Sequence, residues 1–330
     1  MESDLQPSTQ APFGVGAIVS AAHARHAANR AGALADYIPE LAAVDPERFG
    51  IALATVGGKL FTAGDTDHAF TIQSVSKAFV YCLALELIGR DAVLERVGVE
   101  PSGDAFNAIV FDPHTNRPFN PMVNAGAITV AGIVRDVAGD GAFDLILDRL
   151  SGAAGRQLSI DESVYRSEAE TGHRNRAIGH RLRNVGALRS PVDEVVDLYF
   201  RQCSILVTAT DLARMGATLA HIGENPVTGR QVFELTAVRN TLAVMFTCGR
   251  YDFSGSWAYD VGIPAKSGVG GGIVGVVNRQ LGIGTYSPRL DIKGNSIRGV
   301  AAFKEIGDEL GLHVFDCSND GSAYMRSFMG

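Results

Sequence analysis

The sequence has little of what nucleic-acid-binding and membrane proteins depend on. Only 20% of its 330 residues are charged, and the net charge at pH 7 is −7. Nucleic acids and anionic membrane surfaces attract basic patches, so we expect neither of them as a partner. No apolar run has the length of a membrane helix. Residues 1–12 also lack the basic-then-apolar order of a signal peptide.

Cysteine is equally sparse, and no metal-binding pattern is present. The cysteines are far apart and mostly in apolar surroundings: Cys82, Cys203, Cys248 and Cys317. This placement predicts reduced, buried thiols in a cytoplasmic protein rather than disulfides. There is no H-E-x-x-H motif and no Cys/His ligand spacing, so we expect no metal and no cofactor.

Lysine is rare as well, because most basic positions are arginine. The five lysines are Lys59, Lys77, Lys266, Lys293 and Lys304. Lys77 follows Ser74 by three residues, so on a helix the two share a face. The segment 78–85 after them is apolar nearly all round, which is typical of a helix inside a large core. Burial disfavours the charged amine, and a neutral amine can activate a serine nucleophile.

Simpler interpretations of this stretch remain open. Ser74 could cap the helix while Lys77 extends to solvent. Ser76 is a second candidate nucleophile, but its lysine neighbour is adjacent, so the two side chains would point to different faces. Backbone N–H groups in the first helical turn near Ser74 could hold a developing oxyanion.

The rest of the chain predicts one domain, residues 14–330, built from two lobes. A helix over 15–35, a strand over 50–56 and its hairpin partner over 59–64 precede the serine helix, after a loose tail at 1–13. Helices dominate about 90–249. Short strand-like runs at 258–264, 272–277 and 281–286 and a helix over 300–312 then close the chain. We therefore predict an α/β lobe from 14–73 and 256–330 and a helical lobe from 74–255.

A second group of polar residues follows the predicted strand 258–264. Lys266, Ser267 and Gly268 place a cation, a hydroxyl donor and an exposed backbone N–H in a row on an edge strand. That combination suits an oxyanion or a substrate carboxylate, although a glycine-rich hairpin with an incidental lysine also explains it. Residues 270–275 fit G-x-G-x-x-G, but a strand and turn rather than a helix are predicted after it, which argues against a dinucleotide site.

Together the two motifs resemble a known fold. S-x-x-K at the start of a buried helix, with K-S-G on a late strand, is the pattern of the serine β-lactamases and penicillin-binding proteins. Further segments resemble the serine-dependent glutaminases over the chain from about residue 14. They are Asp36-Tyr37-Ile38-Pro39, residues 73–77, 100–103, 106–107, 120–128, 165–168 and 174–175, and 266–271. The resemblance implies an α/β (α+β), β-lactamase-like fold, in which helices flank an antiparallel sheet and an all-helical lobe is added.

The same resemblance implies that L-glutamine is hydrolysed to L-glutamate and ammonia. It makes Ser74 the nucleophile and Lys77 the general base. The positions that match the family's glutamine site are Ser74, Asn124, Glu168, Asn175, Tyr199, Tyr251 and Val269. Val269 resembles the second oxyanion donor, through its backbone N–H. The S-D-N motif of the β-lactamases is missing, so Tyr199, with Tyr251 as the alternative, is expected to help protonate the leaving ammonia. The family also implies a homo-oligomer, a dimer or a tetramer.

The chemistry of glutamine fits these residue types. Glu168 can pair with the α-ammonium group, and Asn124 and Asn175 can donate to the α-carboxylate. Without the resemblance, Glu168 would be a solvated charge and Tyr199 a core residue. A β-lactamase or peptidase, an esterase-like acyl-enzyme hydrolase and a non-enzymatic binding module of the same fold remain alternatives.

Overall fold

The computed structural model describes residues 14–103 and 107–316. The predicted tail at 1–13, Phe106 and Cys317 lie outside the described residues. Two sheets are present, a main sheet of five antiparallel strands in the order β2-β1-β8-β7-β6 and a small sheet in the order β3-β5-β4. The strands are β1 Gly50–Thr55, β2 Leu60–Gly64, β3 Phe70–Thr71, β4 Ser159–Ile160, β5 Ile205–Val207, β6 Ala265–Ser267, β7 Gly272–Val277 and β8 Leu281–Tyr286.

Helices surround the main sheet and fill the middle of the chain. They are α1 Val15–His26, α2 Pro39–Ala42, α3 Ser76–Ile88, α4 Arg90–Leu94, α5 Asn124–Ala138, α6 Ala142–Ala154, α7 Glu162–Thr171, α8 His173–Asn184, α9 Val192–Cys203, α10 Ala209–Ala220, α11 Leu235–Cys248, α12 Ser254–Asp260 and α13 Ile297–Leu310. The α/β class with a flanked antiparallel sheet is therefore as predicted. The boundaries of the two lobes stay a prediction.

Strands from both ends of the chain meet in the main sheet. Ile51 of β1 lies opposite Ala63 of β2 on one side and Thr285 of β8 on the other. The predicted hairpin between β1 and β2 is confirmed, and Gly58 in its turn has φ +80. That left-handed conformation is one that glycine adopts without steric cost. β6, which carries Lys266, is an edge strand, also as predicted.

The main sheet is covered on both faces because its strands alternate two kinds of side chain. Ile51 and Leu53 of β1 face a core that contains Trp257 of α12 and Phe303 of α13. Their neighbours in β1 are alanines, which pack against alanines of α10 on the opposite face. Large side chains thus fill one layer, while small ones let α10 approach the sheet closely.

We expect Gly282→Ala to destabilise the protein by about 3 kcal/mol, because the added methyl group would overlap backbone atoms. A Cβ at Gly282 would lie 2.1 Å from the Ala217 nitrogen and 2.2 Å from the Ala213 oxygen, both in α10. Gly255→Ala is the matched control, since a Cβ there meets nothing within 4 Å. In urea unfolding, Gly282→Ala should have a lower midpoint than the native protein, whereas Gly255→Ala should not. A Gly282→Ala midpoint equal to that of the native protein would contradict the close packing of α10.

The helix that follows Ser74 is buried as predicted. Every residue of α3 from Ser76 to Leu85 is buried. α3 packs against α5, α6 and α11, all of which come from the central part of the chain. The packing of α3 therefore fixes the position of its N-terminus, which directly follows Ser74, at the junction between the helical core and the main sheet.

Two predicted elements are wrong at their ends. The first helix stops at His26 instead of residue 35, because Asn29 accepts a hydrogen bond from the Ala31 N–H and Gly32 has φ +87. The predicted strand at 258–264 is not formed: 261–264 are a turn and irregular backbone before β6, and 258–260 are the end of helix α12. Its indole, Trp257, is fully buried and donates to the Ile263 carbonyl, which folds the chain back on itself. Burial of this one side chain overrides the strand preference of the residues that follow it.

Candidate active site

Ser74 lies in a tight turn that leads directly into α3. Residues Gln73–Val75 form a 3-10 turn, so Ser74 precedes the α-helix instead of lying in its first turn. Gln73 has φ +48, a conformation that costs energy for a residue with a side chain. Ser74 lines a cavity of about 310 Å³. A strained residue directly before a serine at a cavity wall is a feature that functional sites commonly show.

Lys77 is held behind this turn in a dry environment. Its Nζ donates a hydrogen bond to Asn124 Oδ1 at 2.7 Å. The ammonium also lies 5.6 Å from the ring centre of Tyr251 and 5.9 Å from that of Tyr199. Burial lowers the pKa of Lys77 to about 7. A large fraction of this amine is therefore neutral at neutral pH and able to accept a proton.

A second buried lysine, Lys266, is connected to Ser74 by hydrogen bonds through Tyr251. Lys266 Nζ donates to the Tyr251 hydroxyl oxygen at 2.8 Å and to the Ser267 carbonyl at 2.6 Å. Tyr251 in turn forms a side-chain hydrogen bond with Ser74. Burial, reinforced by the positive charges of Lys77 and Arg250, holds the pKa of Lys266 well below its ordinary value. The contacts of Lys266 are with protein groups, so it lies behind the site rather than in position for a substrate carboxylate.

Glu168 occupies another wall of the same cavity. Its Oε1 accepts a hydrogen bond from the Tyr37 hydroxyl at 2.7 Å, and that hydroxyl also lies 3.3 Å from Gln73 Oε1. Burial raises the pKa of Glu168, while hydrogen bonds from Tyr37 and Gln73 oppose the shift. A buried carboxylate that accepts hydrogen bonds from neutral groups is a natural place for an ammonium group to bind.

Asn124, Asn175 and Tyr199 form a polar network between Lys77 and the cavity. Asn124 Nδ2 donates to Asn175 Oδ1 at 3.0 Å, and the Tyr199 hydroxyl lies 3.4 Å from Asn124 Oδ1. Burial raises the pKa of Tyr199 well above its ordinary value. Asn124 thus has both ends of its amide occupied, and Asn175, which accepts from it, lines the cavity.

The loop after β6 packs directly against the backbone around Ser74. A Cβ at Gly268 would lie 3.0 Å from the Ile72 oxygen and 3.3 Å from the Ser74 nitrogen, and one at Gly270 would lie 2.8 Å from the Thr71 oxygen. These glycines therefore allow Val269 to reach the cavity wall beside Ser74. The K-S-G pattern is explained by this close approach as well as by its lysine.

Most of the residues predicted for the site are together. Six of them line the one cavity: Ser74, Asn124, Glu168, Asn175, Tyr199 and Val269. Lys77 and Tyr251 lie just behind it. Ser76, the second candidate nucleophile, is fully buried, donates to the Gln73 carbonyl and accepts from Gln202. Its hydroxyl is occupied by the protein.

The cavity also has walls that we did not predict. These residues are Tyr37, Gln73, Asn107, Thr171, Gly172, Arg174 and Cys203. Tyr37, Gln73, Asn107 and Arg174 stand inside segments that carry the family resemblance, which was a usable signal. Cys203 gave no signal, because a buried cysteine on an apolar helix face is ordinary. Burial raises the pKa of the Cys203 thiol to about 12.

Residues 14–103 and 107–316 show few features of other kinds of site. There, no cluster of three or more His, Cys, Asp or Glu side chains could hold a metal ion. Over the same residues, no helix is long and apolar enough to cross a membrane. The described cysteines Cys82, Cys203 and Cys248 are free and buried.

Comparison with known protein families decides which enzyme this geometry belongs to. The family model described as Glutaminase matches residues 32–315. The chain belongs to the glutaminase family. It is therefore an enzyme that hydrolyses glutamine, as the sequence motifs predicted.

Individual glutaminases are similar over most of the chain. The glutaminase of Trichormus variabilis is 49% identical over 300 residues, which cover 91% of this chain and 90% of that protein. Glutaminase 2 of Bradyrhizobium diazoefficiens is 53% identical over 298 residues, or 90% of this chain and 48% of that protein.

Solved glutaminase structures share the fold. The probable glutaminase YbaS superposes with a TM-score of 0.87 at 40% identity, covering 91% of this chain and 98% of the other. The native form of Mglu gives a TM-score of 0.87 at 42% identity, covering 91% of this chain and 73% of the other. The predicted β-lactamase-like fold is thereby confirmed.

Proposed function

We propose that this glutaminase works through a γ-glutamyl ester on Ser74. The observation that carries the proposal is the pairing of a cavity-lining serine with a buried lysine whose pKa burial lowers to about 7. Ser74 attacks the side-chain amide carbon of glutamine while Lys77 takes the hydroxyl proton. Water then hydrolyses the ester by the same route, and glutamate leaves.

The oxyanion of each tetrahedral intermediate would rest on the backbone N–H groups of Ser74 and Val269. The close approach of the two segments supports this, because a Cβ at Gly268 would lie only 3.3 Å from the Ser74 nitrogen. Such donors stabilise the transition state more than the substrate, since they are fixed before charge develops.

The leaving ammonia needs a proton, and the contacts support Tyr251 more than Tyr199 as its source. Tyr251 forms a hydrogen bond with Ser74, whereas Tyr199 bonds Asn124. In this scheme the Tyr251 hydroxyl gives its proton to the nitrogen as the C–N bond breaks. The proton that Lys77 took from Ser74 then passes to the Tyr251 oxygen and restores its hydroxyl. Tyr199 keeps a role in placing Asn124 and Lys77.

Recognition of free glutamine would come from the opposite wall. Glu168 takes the α-ammonium group, and Asn175 donates to the α-carboxylate, with Asn124 fixing its orientation. Burial of Glu168 makes the ion pair specific, because the carboxylate gains most from a cation that fits the cavity.

We expect Glu168→Gln to raise KM for glutamine by about 100-fold with a smaller change in kcat, because a charged hydrogen bond of about 1.5–3 kcal/mol is lost. Steady-state ammonia release measures both constants, and an analogue without the α-amine serves as the second substrate. Its turnover should be unaffected by the substitution. Glu170→Gln, on the exposed side of α7, is the control. A Glu168→Gln enzyme with unchanged KM would contradict the assignment.

The test of the proposed activity is ammonia release from glutamine by the purified protein, compared with a chromogenic β-lactam and a simple ester. Rapid glutamine turnover with slow turnover of the other two supports the proposal. The reverse order would favour a lactamase- or esterase-like enzyme. We also propose a cytoplasmic homo-oligomer and the two-lobe division predicted above; these stay predictions that gel filtration and limited proteolysis can test.

A further inference from the structure

Three basic side chains are buried together beside the candidate nucleophile. Lys77 is 1% exposed, and Lys266 and Arg250 are each 0% exposed. Lys77 has Asn124 as its partner, and Lys266 has Tyr251 and Ser267. The proposed mechanism uses the first two groups but gives no role to Arg250. Burying a charge is expensive unless something is gained from it.

Arg250 is held by stacking rather than by hydrogen bonds. Within the part of the chain that the structure describes, none of its three guanidinium nitrogens has a hydrogen-bond partner. Its Cζ lies 4.3 Å from the ring centre of Trp257 and 6.0 Å from that of Phe253. Burial lowers the pKa of Arg250 to about 9, so the group still carries its charge at neutral pH. Stacking on a buried indole is a known way to stabilise such a cation.

The charge of Arg250 acts on the pair next to it. It is adjacent in sequence to Tyr251, which has φ +56 and whose hydroxyl oxygen accepts from Lys266. Burial raises the pKa of Tyr251, and the charge of Arg250 opposes that shift by favouring the phenolate. The same charge disfavours the protonated form of Lys266.

Four other ionisable groups lie around Arg250 and Tyr251, from different elements of the fold. Asp291, from the loop before α13, acts on it with the opposite sign. The Asp252 carboxylate near it is paired with Lys293 at 3.3 Å, at a more exposed position. Lys77 of α3 lies 5.6 Å from the ring centre of Tyr251 and adds positive charge there when it holds a proton. Cys203 of α9 opposes ionisation of Tyr251 only if its own thiol is charged, and burial keeps that thiol protonated.

We propose that Arg250 is a positioning residue for the departure of ammonia, whose buried charge stabilises the phenolate that forms on Tyr251. This inference rests on the proposed function. As the C–N bond breaks, the Tyr251 O–H bond also breaks, and its proton joins the nitrogen to form ammonia. The electron pair stays on the Tyr251 oxygen, which accepts from the Lys266 amine and which the charge of Arg250 stabilises. The proton held by Lys77 then restores the hydroxyl.

A leaving group that needs no proton separates this role from a structural one. Glutamine must lose ammonia, whereas the S-methyl γ-thioester of L-glutamate can lose its thiolate without a proton. Arg250→Met keeps the apolar stem and removes the charge. We expect kcat for glutamine to fall about 10- to 100-fold, a part of the contribution that a general acid makes. KM and the rate of thiol release from the thioester should stay within about threefold of the native values.

Stability gives a second readout. Replacing a buried charge that lacks a carboxylate partner with an apolar group is often neutral or stabilising, so the melting temperature of Arg250→Met should be unchanged or higher. Arg250→Lys should restore much of the glutamine activity. Arg298→Met is the matched control, since Arg298 is also buried but donates to the Pro46 and Arg48 carbonyls. The Arg298→Met enzyme should melt at a lower temperature, and its ratio of glutamine to thioester turnover should be unchanged.

The ratio of the two rates in one sample does not depend on the fraction of folded enzyme, so poor folding of a variant leaves the test intact. An Arg250→Met enzyme with an unchanged ratio of glutamine to thioester turnover would overturn the inference. Ser74→Ala should lose both activities. If Ser74→Ala kept them, the proposed function would fail instead, which distinguishes the two outcomes.

Discussion

Ser74→Ala is expected to lower kcat for glutamine by about 10⁵- to 10⁶-fold, as loss of the nucleophile does in serine hydrolases. The reason is that the other candidate nucleophile cannot replace it, because the Ser76 hydroxyl is committed to Gln73 and Gln202. The protein should stay folded, because removing one partly satisfied hydroxyl costs only about 1 kcal/mol. Ammonia release and circular dichroism, measured on the same sample, check both parts.

Ser76→Ala is the matched control for this result. Ser76 lies two residues away and is also buried, but its hydroxyl donates to the Gln73 carbonyl and accepts from Gln202. The control should keep activity within about tenfold and lose a little stability, since the Gln73 carbonyl would lose a donor. If Ser74→Ala stayed active and Ser76→Ala did not, the nucleophile would be Ser76.

Lys77→Met should lower kcat/KM by about 10³- to 10⁴-fold, near the upper range for loss of a general base. Methionine fills the same buried space without the amine, so packing against α5 and the aromatic rings is largely kept. Lys59→Met is the control, because Lys59 is exposed in the β1–β2 turn. That variant should behave as the native enzyme in ammonia release, whereas equal losses in both variants would contradict the role of Lys77.

The pH profile tests the same group without mutation. Burial lowers the pKa of Lys77 to about 7, and only the neutral amine can take the serine proton. The active fraction is therefore complete well above pH 7 and falls tenfold per pH unit below it. We expect kcat/KM to show an acid limb near pH 7. An acid limb more than two units away would show that another group controls the reaction.

The sequence predicted elements that depend on local pattern. Helix α3 is apolar on every side over the eight residues 78–85, so the burial of this segment followed from composition alone. The hairpin at Gly57 and Gly58 and the strands β7 and β8 are marked by glycine and β-branched residues. Helix α12 could not be predicted in this way, because it depends on where Trp257 packs in three dimensions.

The residues of the candidate site also fall into two groups, those marked by the local sequence and those placed by contacts between distant segments. Ser74, Lys77 and Lys266 stand out because lysine is rare, and the family resemblance supplied the other residues. Contacts between distant segments were beyond reach: the Tyr37 hydrogen bond to Glu168 joins residues 131 positions apart. Arg250 gave no signal either, since an arginine in a loop is usually exposed, and only the fold shows it buried on Trp257.

Covalent labelling tests the central claim most directly. The enzyme is incubated with a glutamine analogue that carries an electrophile in place of the side-chain amide, and intact mass and peptide mapping then locate the adduct. The account predicts one adduct per chain, on Ser74, that disappears in Ser74→Ala. Cys203 is the informative alternative, because it lines the same cavity but has a thiol that burial keeps protonated. An adduct on Cys203 or on Ser76, with Ser74 unmodified, would contradict the account.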